Sequence, residues 1–204
     1  MNGDPGLERR EFVRLLGMGG VGLLAAASSG GSIFDFLGRM FGPKKPAFGV
    51  PEEWLPTLGQ PLIGYSAFVG GLQLKHVSVR QVISPHLKVR GDVRCGLPPT
   101  AIWKKMRPTL LMLDEMGELL GEDVGEVISA YRSPAYNAKC PGAASGSHHM
   151  RNVALDLVFS KSSPRRVAEA AKEVRSRGKF IGGIGRYSNF THIDTRGEAA
   201  DWSG

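Results

Sequence analysis

The sequence predicts an α+β fold, a mostly antiparallel sheet with two main helices. Three observations carry this. Residues 100–120 and 164–177 bear helical periodicity or helix punctuation. Short strand-like runs surround them. A Gly70-Gly71 pair separates two of those runs, as the turn of a hairpin does. In chain order, 62–69 and 72–79 read as the strands of that hairpin. Residues 100–120 read as a helix with Ile102, Trp103, Met106, Leu110, Leu113 and Met116 on one broad face. Pro108 should kink or split it, and Gly121 should end it. Residues 124–130 and 153–159 read as strands. Ser163-Pro164 is an N-cap followed by proline at the first helical position, and Gly178 is the stop. Residues 180–185 and 190–195 are two further short strands.

The domain begins well inside the chain. Residues 1–27 have the layout of a bacterial export signal: Arg9-Arg10, a mildly apolar glycine-rich stretch, then Ala25-Ala26-Ala27 as a cleavage site. The double arginine and low hydrophobicity favour the twin-arginine route, which places the protein in the periplasm or cell envelope. An amphipathic helix with a chance Arg-Arg is the alternative. Residues 28–60, with Pro43, Pro46, Pro51, Pro56 and Gly59, read as a Gly/Pro-rich linker. Within it Ile33, Phe34, Phe36, Leu37, Met40 and Phe41 suit a short amphipathic turn. Residues 61–204 form the expected domain.

The chain has 204 residues and a formal net charge of +7. Asp4, Glu8 and Glu11 cancel Arg9, Arg10 and Arg14, so residues 28–204 keep the whole +7. A basic exported protein suits a polyanionic surface such as a cell wall. Nucleic acid is not the expected partner: the basic residues are scattered, without an aromatic-interleaved stripe. No apolar run reaches the length of a membrane span, so no stable transmembrane segment is expected after signal removal. Two cysteines exclude a disulfide-dense scaffold and a four-cysteine zinc module.

The chemistry concentrates in three stretches: Ser129 to Asn137, Ser147 to Asp156, and His192-Ile193-Asp194. His149 lies in a loop leading to a strand, Asp156 in that strand, and His192 in another. A sheet can bring all three together. Two imidazoles and a carboxylate make the three-ligand set of a catalytic zinc site, with water in the fourth position. Asp156, among Leu155, Leu157, Val158 and Phe159, needs a cation or strong donors to offset its desolvation. Without a metal, Asp156 would cap a turn or pair with an arginine, and His149 would be a loop residue. His76 reads as exposed or hydrogen-bonded, and Ser84-Pro85-His86 as a turn.

Ser147-x-His149 followed by Asp156, and His192-x-Asp194, resemble the signature of the zinc D,D-peptidases, which include D-alanyl-D-alanine carboxypeptidases and murein endopeptidases. Ser129-Ala130-Tyr131-Arg132-Ser133-Pro134 looks like the branch reading Ser-Gly-Tyr-Arg-Ser. Gly182-Gly183-Ile184-Gly185-Arg186-Tyr187 ahead of Phe190-Thr191-His192-Ile193-Asp194 resembles the same branch. The likeness covers roughly residues 65–202. It implies a D,D-peptidase/hedgehog-like fold with Zn2+ on His149, Asp156 and His192. The reaction implied is hydrolysis of amide bonds in peptidoglycan stem peptides by a zinc-activated water, as a carboxypeptidase or an endopeptidase. Ser147 would orient the site or touch substrate; a plain turn hydroxyl is the alternative. Arg132 would bind a peptide carboxylate or the developing oxyanion; a structural salt bridge is the alternative. His148 beside His149 should point away, as adjacent residues in an extended segment do.

Two departures from the family pattern matter. Asn152 stands where many members have glycine, and asparagine accepts a positive φ better than most residues. Asn189 and Phe190 stand where members carry the general base. Asp194 is the nearest replacement, or else a carboxylate that holds His192. These departures motivate a rival reading, a non-catalytic peptidoglycan-binding or structural envelope protein that retains the fold. Cys95 and Cys140 are expected to pair outside the cytoplasm and brace the loop before His149, with two free buried thiols as the alternative.

Overall fold

The computed structural model describes residues 46–204. The export signal, the first part of the linker and the 33–41 turn lie outside the described residues. The described part of the linker is folded. A 3-10 turn, Glu52–Trp54, runs into helix α1, Leu55–Leu58, and Val50 and Leu58 sit in the core. Proline and glycine here shape short turns on the domain rather than a spacer.

The predicted hairpin is a helix. Helix α2 spans Pro61–Gly70, and its buried residues are Leu62, Tyr65, Ser66 and Val69. That i, i+3, i+4, i+7 pattern is one helical face, and Pro61 occupies the first turn where no N–H is needed. Residues 72–78 follow as turn and coil. Their burial alternates, but no strand pairs with them. Helix α3, Val79–Ile83, starts at a capping box: Ser78 Oγ accepts from Gln81 N, and Gln81 Oε1 accepts from Ser78 N. Strands β1, Val89–Arg90, and β2, Val93–Arg94, make a small hairpin around Gly91.

The two main helices form where the sequence places them. A 3-10 segment, Thr100–Met106, gives way to helix α4, Arg107–Leu120, so Pro108 divides the predicted helix at its first turn. Gly121 closes α4 in the left-handed conformation at φ 65°. After strand β3, Val124–Ser129, comes the short helix α5, Pro134–Ala138. A further 3-10 turn, His148–Arg151, leads to strand β4, Ala154–Phe159. Helix α6, Pro164–Ser176, is capped by Ser163 and buries Val167, Ala168, Ala170, Ala171 and Val174. Strands β5, Gly183–Arg186, β6, Thr191–Asp194, and β7, Ala200–Ser203, complete the fold.

The main sheet has the order β3-β4-β6-β5-β7. Every pairing is antiparallel except β5 with β7. Strand side chains alternate between faces. Val127, Leu155, Leu157, Ile184 and Ile193 join the apolar core with α4 and α6. The other face carries Ser129, Asp156, His192, Asp194 and Trp202. Register aligns these residues: Ser129 is opposite Asp156, Asp156 opposite His192, His192 opposite Gly185, and Gly185 opposite Trp202. One transverse row thus crosses all five strands.

Candidate metal centre

The row brings together the residues that the sequence singled out. His149, Asp156 and His192 are all buried, and one ligating atom from each lies within 4.8 Å of the others. His149 comes from the 3-10 turn before β4, held by the chain reversal at Asn152. Asn152 adopts φ 58°, the left-handed conformation that asparagine was expected to tolerate, and its Nδ2 donates to Ile102 O at 2.9 Å.

The hydrogen bonds fix which atoms face the centre. His149 Nδ1 lies 2.7 Å from Ala130 O, which can only accept, so Nδ1 carries the proton. Its Nε2 then presents a lone pair, 3.2 Å from Asp156 Oδ1. His192 Nε2 lies 2.9 Å from Asp194 Oδ2, and its Nδ1 lies 2.8 Å from Asp156 Oδ1. With Nε2–H donated to Asp194, Nδ1 also presents a lone pair. Three acceptors therefore converge at a buried point in the cleft lining. A single cation satisfies all three at once, and this donor set suits a metal ion.

The electrostatics fit a lone pair on His149 and a charged Asp156, while on His192 they favour a second proton, which a cation would have to displace. Burial holds His149 below its ordinary pKa. Burial pushes Asp156 up, but His149 and His192 outweigh it and keep the carboxyl well below the usual range. Burial also opposes charge on His192, yet its hydrogen bonds to Asp156 and Asp194 raise its pKa overall.

Arg132 holds the other oxygen of the same carboxylate. Its Nη2 donates to Asp156 Oδ2 and its Nε to Ser129 Oγ at 2.7 Å. The salt-bridge alternative for Arg132 is thus realised, while its side chain still lines the cleft. Asp194 is engaged on both carboxylate oxygens. It is fully buried and accepts from Gly183 N, Arg196 N and Arg196 Nε on Oδ1, and from Arg196 Nη2 and His192 on Oδ2. Burial raises its pKa, but Arg196 and His192 reverse this and leave the carboxylate ionised. Ser147 is half-buried, lines the cleft and makes no side-chain cap.

The centre opens into a cleft of about 390 Å³. One wall is Pro141 to Ala144; the other is Tyr187, Phe190 and Trp202. Asp156 is the only carboxylate among the lining residues. His148 also lines the cleft, against expectation. A 3-10 turn does not alternate sides as an extended segment does, so neighbouring histidines both reach it. Sequence reasoning missed Tyr187, Arg196 and Trp202. The signal was the Gly182-Gly183-x-Gly185 run. A Cβ at Gly185 would stand 2.5 Å from Trp202 Cε2, and one at Gly183 would stand 2.6 Å from Asp194 Oδ2. Glycine at both positions makes room for site side chains.

The cysteines are not joined. Cys95 Sγ donates to Tyr131 O at 3.0 Å and Cys140 Sγ to Tyr136 O at 3.4 Å, and both are free thiols. Each thiol is used locally, so the expected brace is absent. His76 is hydrogen-bonded, to Asp123 and Glu118, as read. His86 is fully buried beside Tyr65 and is not part of the cleft.

The family model described as Peptidase M15 matches residues 86–194, more than half of the chain and all three members of the triad. No curated protein and no solved structure matches. The chain belongs to the peptidase M15 family and is a metallopeptidase by membership, with a buried His-Asp-His group that can bind a metal ion.

Proposed function

We propose that this chain is an exported zinc peptidase that hydrolyses amide bonds in peptidoglycan stem peptides. The observation that carries this reading is the convergence of His149 Nε2, Asp156 Oδ1 and His192 Nδ1 in the lining of an open cleft. Zinc held there would polarise an amide carbonyl and activate a water.

The chain's own residues prepare the site. Ala130 O and Asp194 fix the tautomers of His149 and His192. Arg132 orients Asp156 through Oδ2. Its Nη1 makes no hydrogen bond among the described residues, which leaves that edge for a peptide carboxylate or a developing oxyanion. Ser147 offers a hydroxyl on the same lining. Arg132 and Arg196 offset Asp156 and Asp194, so a dication makes the cleft cationic. That charge suits stem peptides, which carry free carboxylates, and the +7 of the whole chain suits an anionic wall. The twin-arginine pattern supports delivery to that compartment.

A second reading is a non-catalytic wall-binding protein. It is favoured by Asn189 and Phe190 at the usual base positions and by the full engagement of Asp194 with Arg196. Zinc analysis with mass spectrometry of digested muropeptides separates the two. Peptidase action requires stoichiometric zinc, new fragments from the wild type, and none from His149→Ala. Binding to sacculi without any released fragment supports the second reading.

A further inference from the structure

We propose that the Tyr187 hydroxyl is a substrate-binding donor, aimed by Trp202 at an acceptor oxygen of the peptide beside the scissile bond. This rests on the peptidase reading of the cleft.

Trp202 Nε1 lies 3.0 Å from Tyr187 Oη. An indole N–H can only donate, so the tyrosine oxygen accepts here and its own proton must point elsewhere. No protein acceptor takes that proton among the described residues, and Tyr187 and Trp202 both line the cleft. The hydroxyl is therefore a donor held ready for a ligand.

Its position is rigid. The Tyr187 ring stacks on Phe190 at 4.3 Å and 11°, and Tyr187 N–H donates to Phe190 O at 3.0 Å. Gly204 leaves space against the ring edge, where a Cβ would collide with Tyr187 Cε1. Trp202 is fixed in turn. Gly185 clears its path, its ring lies 5.3 Å from that of His192, and Arg196 sits 5.0 Å over its face. A donor ordered before the ligand arrives loses little entropy on binding.

Position narrows the acceptor. The indole that donates to the hydroxyl also packs against the His192 ring, with centroids 5.3 Å apart. Tyr187, Trp202 and His192 all line the one cleft, and the hydroxyl is not among the ligating atoms. It is thus placed to meet a segment of a peptide lying in that cleft beside the reacting carbonyl. The acceptor is a backbone carbonyl or a terminal carboxylate oxygen.

Steady-state kinetics on zinc-loaded Tyr187→Phe with purified muropeptides tests this. KM should rise roughly fivefold to tenfold, the worth of one hydrogen bond, while kcat changes less than twofold. Trp202→Phe, which frees the tyrosine proton to rotate, should raise KM by a smaller factor. Zinc content and melting temperature of Tyr187→Phe should match the wild type. An unchanged KM overturns the proposal, as does a fall in kcat at constant KM, which would place the hydroxyl on the reacting atoms. Amidating the peptide C-terminus identifies the acceptor. A KM difference that vanishes means a carboxylate; one that persists means a backbone carbonyl. If the wild type binds zinc and cleaves nothing, the peptidase reading fails alone. The ratio of muropeptide Kd values for Tyr187→Phe and wild type, by calorimetry, then decides the hydroxyl's role: a rise supports it and parity overturns it.

Discussion

Replacing Asp194 by asparagine separates the two roles a carboxylate can have beside His192. In the structure this side chain is fully buried and accepts five hydrogen bonds, three on Oδ1 and two on Oδ2. Asparagine keeps one acceptor oxygen and turns the other position into a donor. That donor would face Arg196 or His192, and the Arg196 guanidinium would lose its counter-charge. Breaking a buried pair costs roughly 3–5 kcal/mol. At roughly 2–4 °C per kcal/mol for a domain of this size, the metal-free protein should melt roughly 6–20 °C lower. His192 would also lose the acceptor that fixes its tautomer, so zinc affinity should fall roughly 10- to 100-fold. Thermal unfolding with chelator and a competitive zinc titration read the two effects separately. A variant with wild-type melting and wild-type zinc affinity that has lost only turnover would refute the reasoning. It would make Asp194 the proton acceptor that the sequence first suggested.

Other expectations follow from the same geometry. Zinc at 100 times its Kd should stabilise the wild type by about 2.7 kcal/mol, and His149→Ala or His192→Ala should abolish that rise in melting temperature. Burial holds the His86 imidazole down at about 4, against an unfolded value of 6.5. The unfolded chain therefore binds the extra proton first, and stability should be lost as pH falls from about 6.5 to 4, by up to about 3 kcal/mol; denaturant titrations of wild type and His86→Leu should differ in that pH window. Gly185→Ala should push the indole of Trp202 away from His192, costing roughly 1–3 kcal/mol and shifting tryptophan fluorescence. A thiol reagent should label Cys140 in the native protein and Cys95 only after unfolding, since burial pushes the Cys95 thiol up to about 11.

The elements that were legible in the sequence are those with local punctuation. Ser163-Pro164 and Gly178, Pro108 and Gly121 each mark a backbone event at one residue, and each helix end falls there. The misread segment, 62–69, is almost uniformly apolar and has no alternation to distinguish strand from helix. Pro61 was the local clue, since proline at a first helical turn costs nothing. Gly70-Gly71 matched a hairpin turn, but glycine ends helices equally well, and only a partner strand decides between the two. The metal triad was legible because Asp156 is a carboxylate in an apolar strand, His149 stands in the turn that leads to it, and His192 lies in a second strand that a sheet can bring alongside. The aromatic wall was not. Tyr187, Phe190 and Trp202 are ordinary surface residues until β7 lies parallel to β5, and no local pattern announces a parallel pairing.

The register of the sheet therefore does more for this site than sequence spacing does. His149 and Asp156 are seven residues apart, but His192 is thirty-six residues beyond Asp156 and reaches it only because β6 pairs with β4 at Asp156 and His192. In a strand a slip of one residue turns every side chain to the opposite face. Such a slip in β6 would drive His192 and Asp194 into the core and lift Ile193 into the cleft. The apolar face, with Leu155, Leu157 and Ile193 against α4 and α6, forbids that slip, since each buried side chain contributes roughly 1.5–3 kcal/mol. The core is thus what aligns the ligands. Substitutions that loosen it, such as Ile193→Ala, should weaken zinc binding from the opposite side of the sheet without touching a single ligand atom.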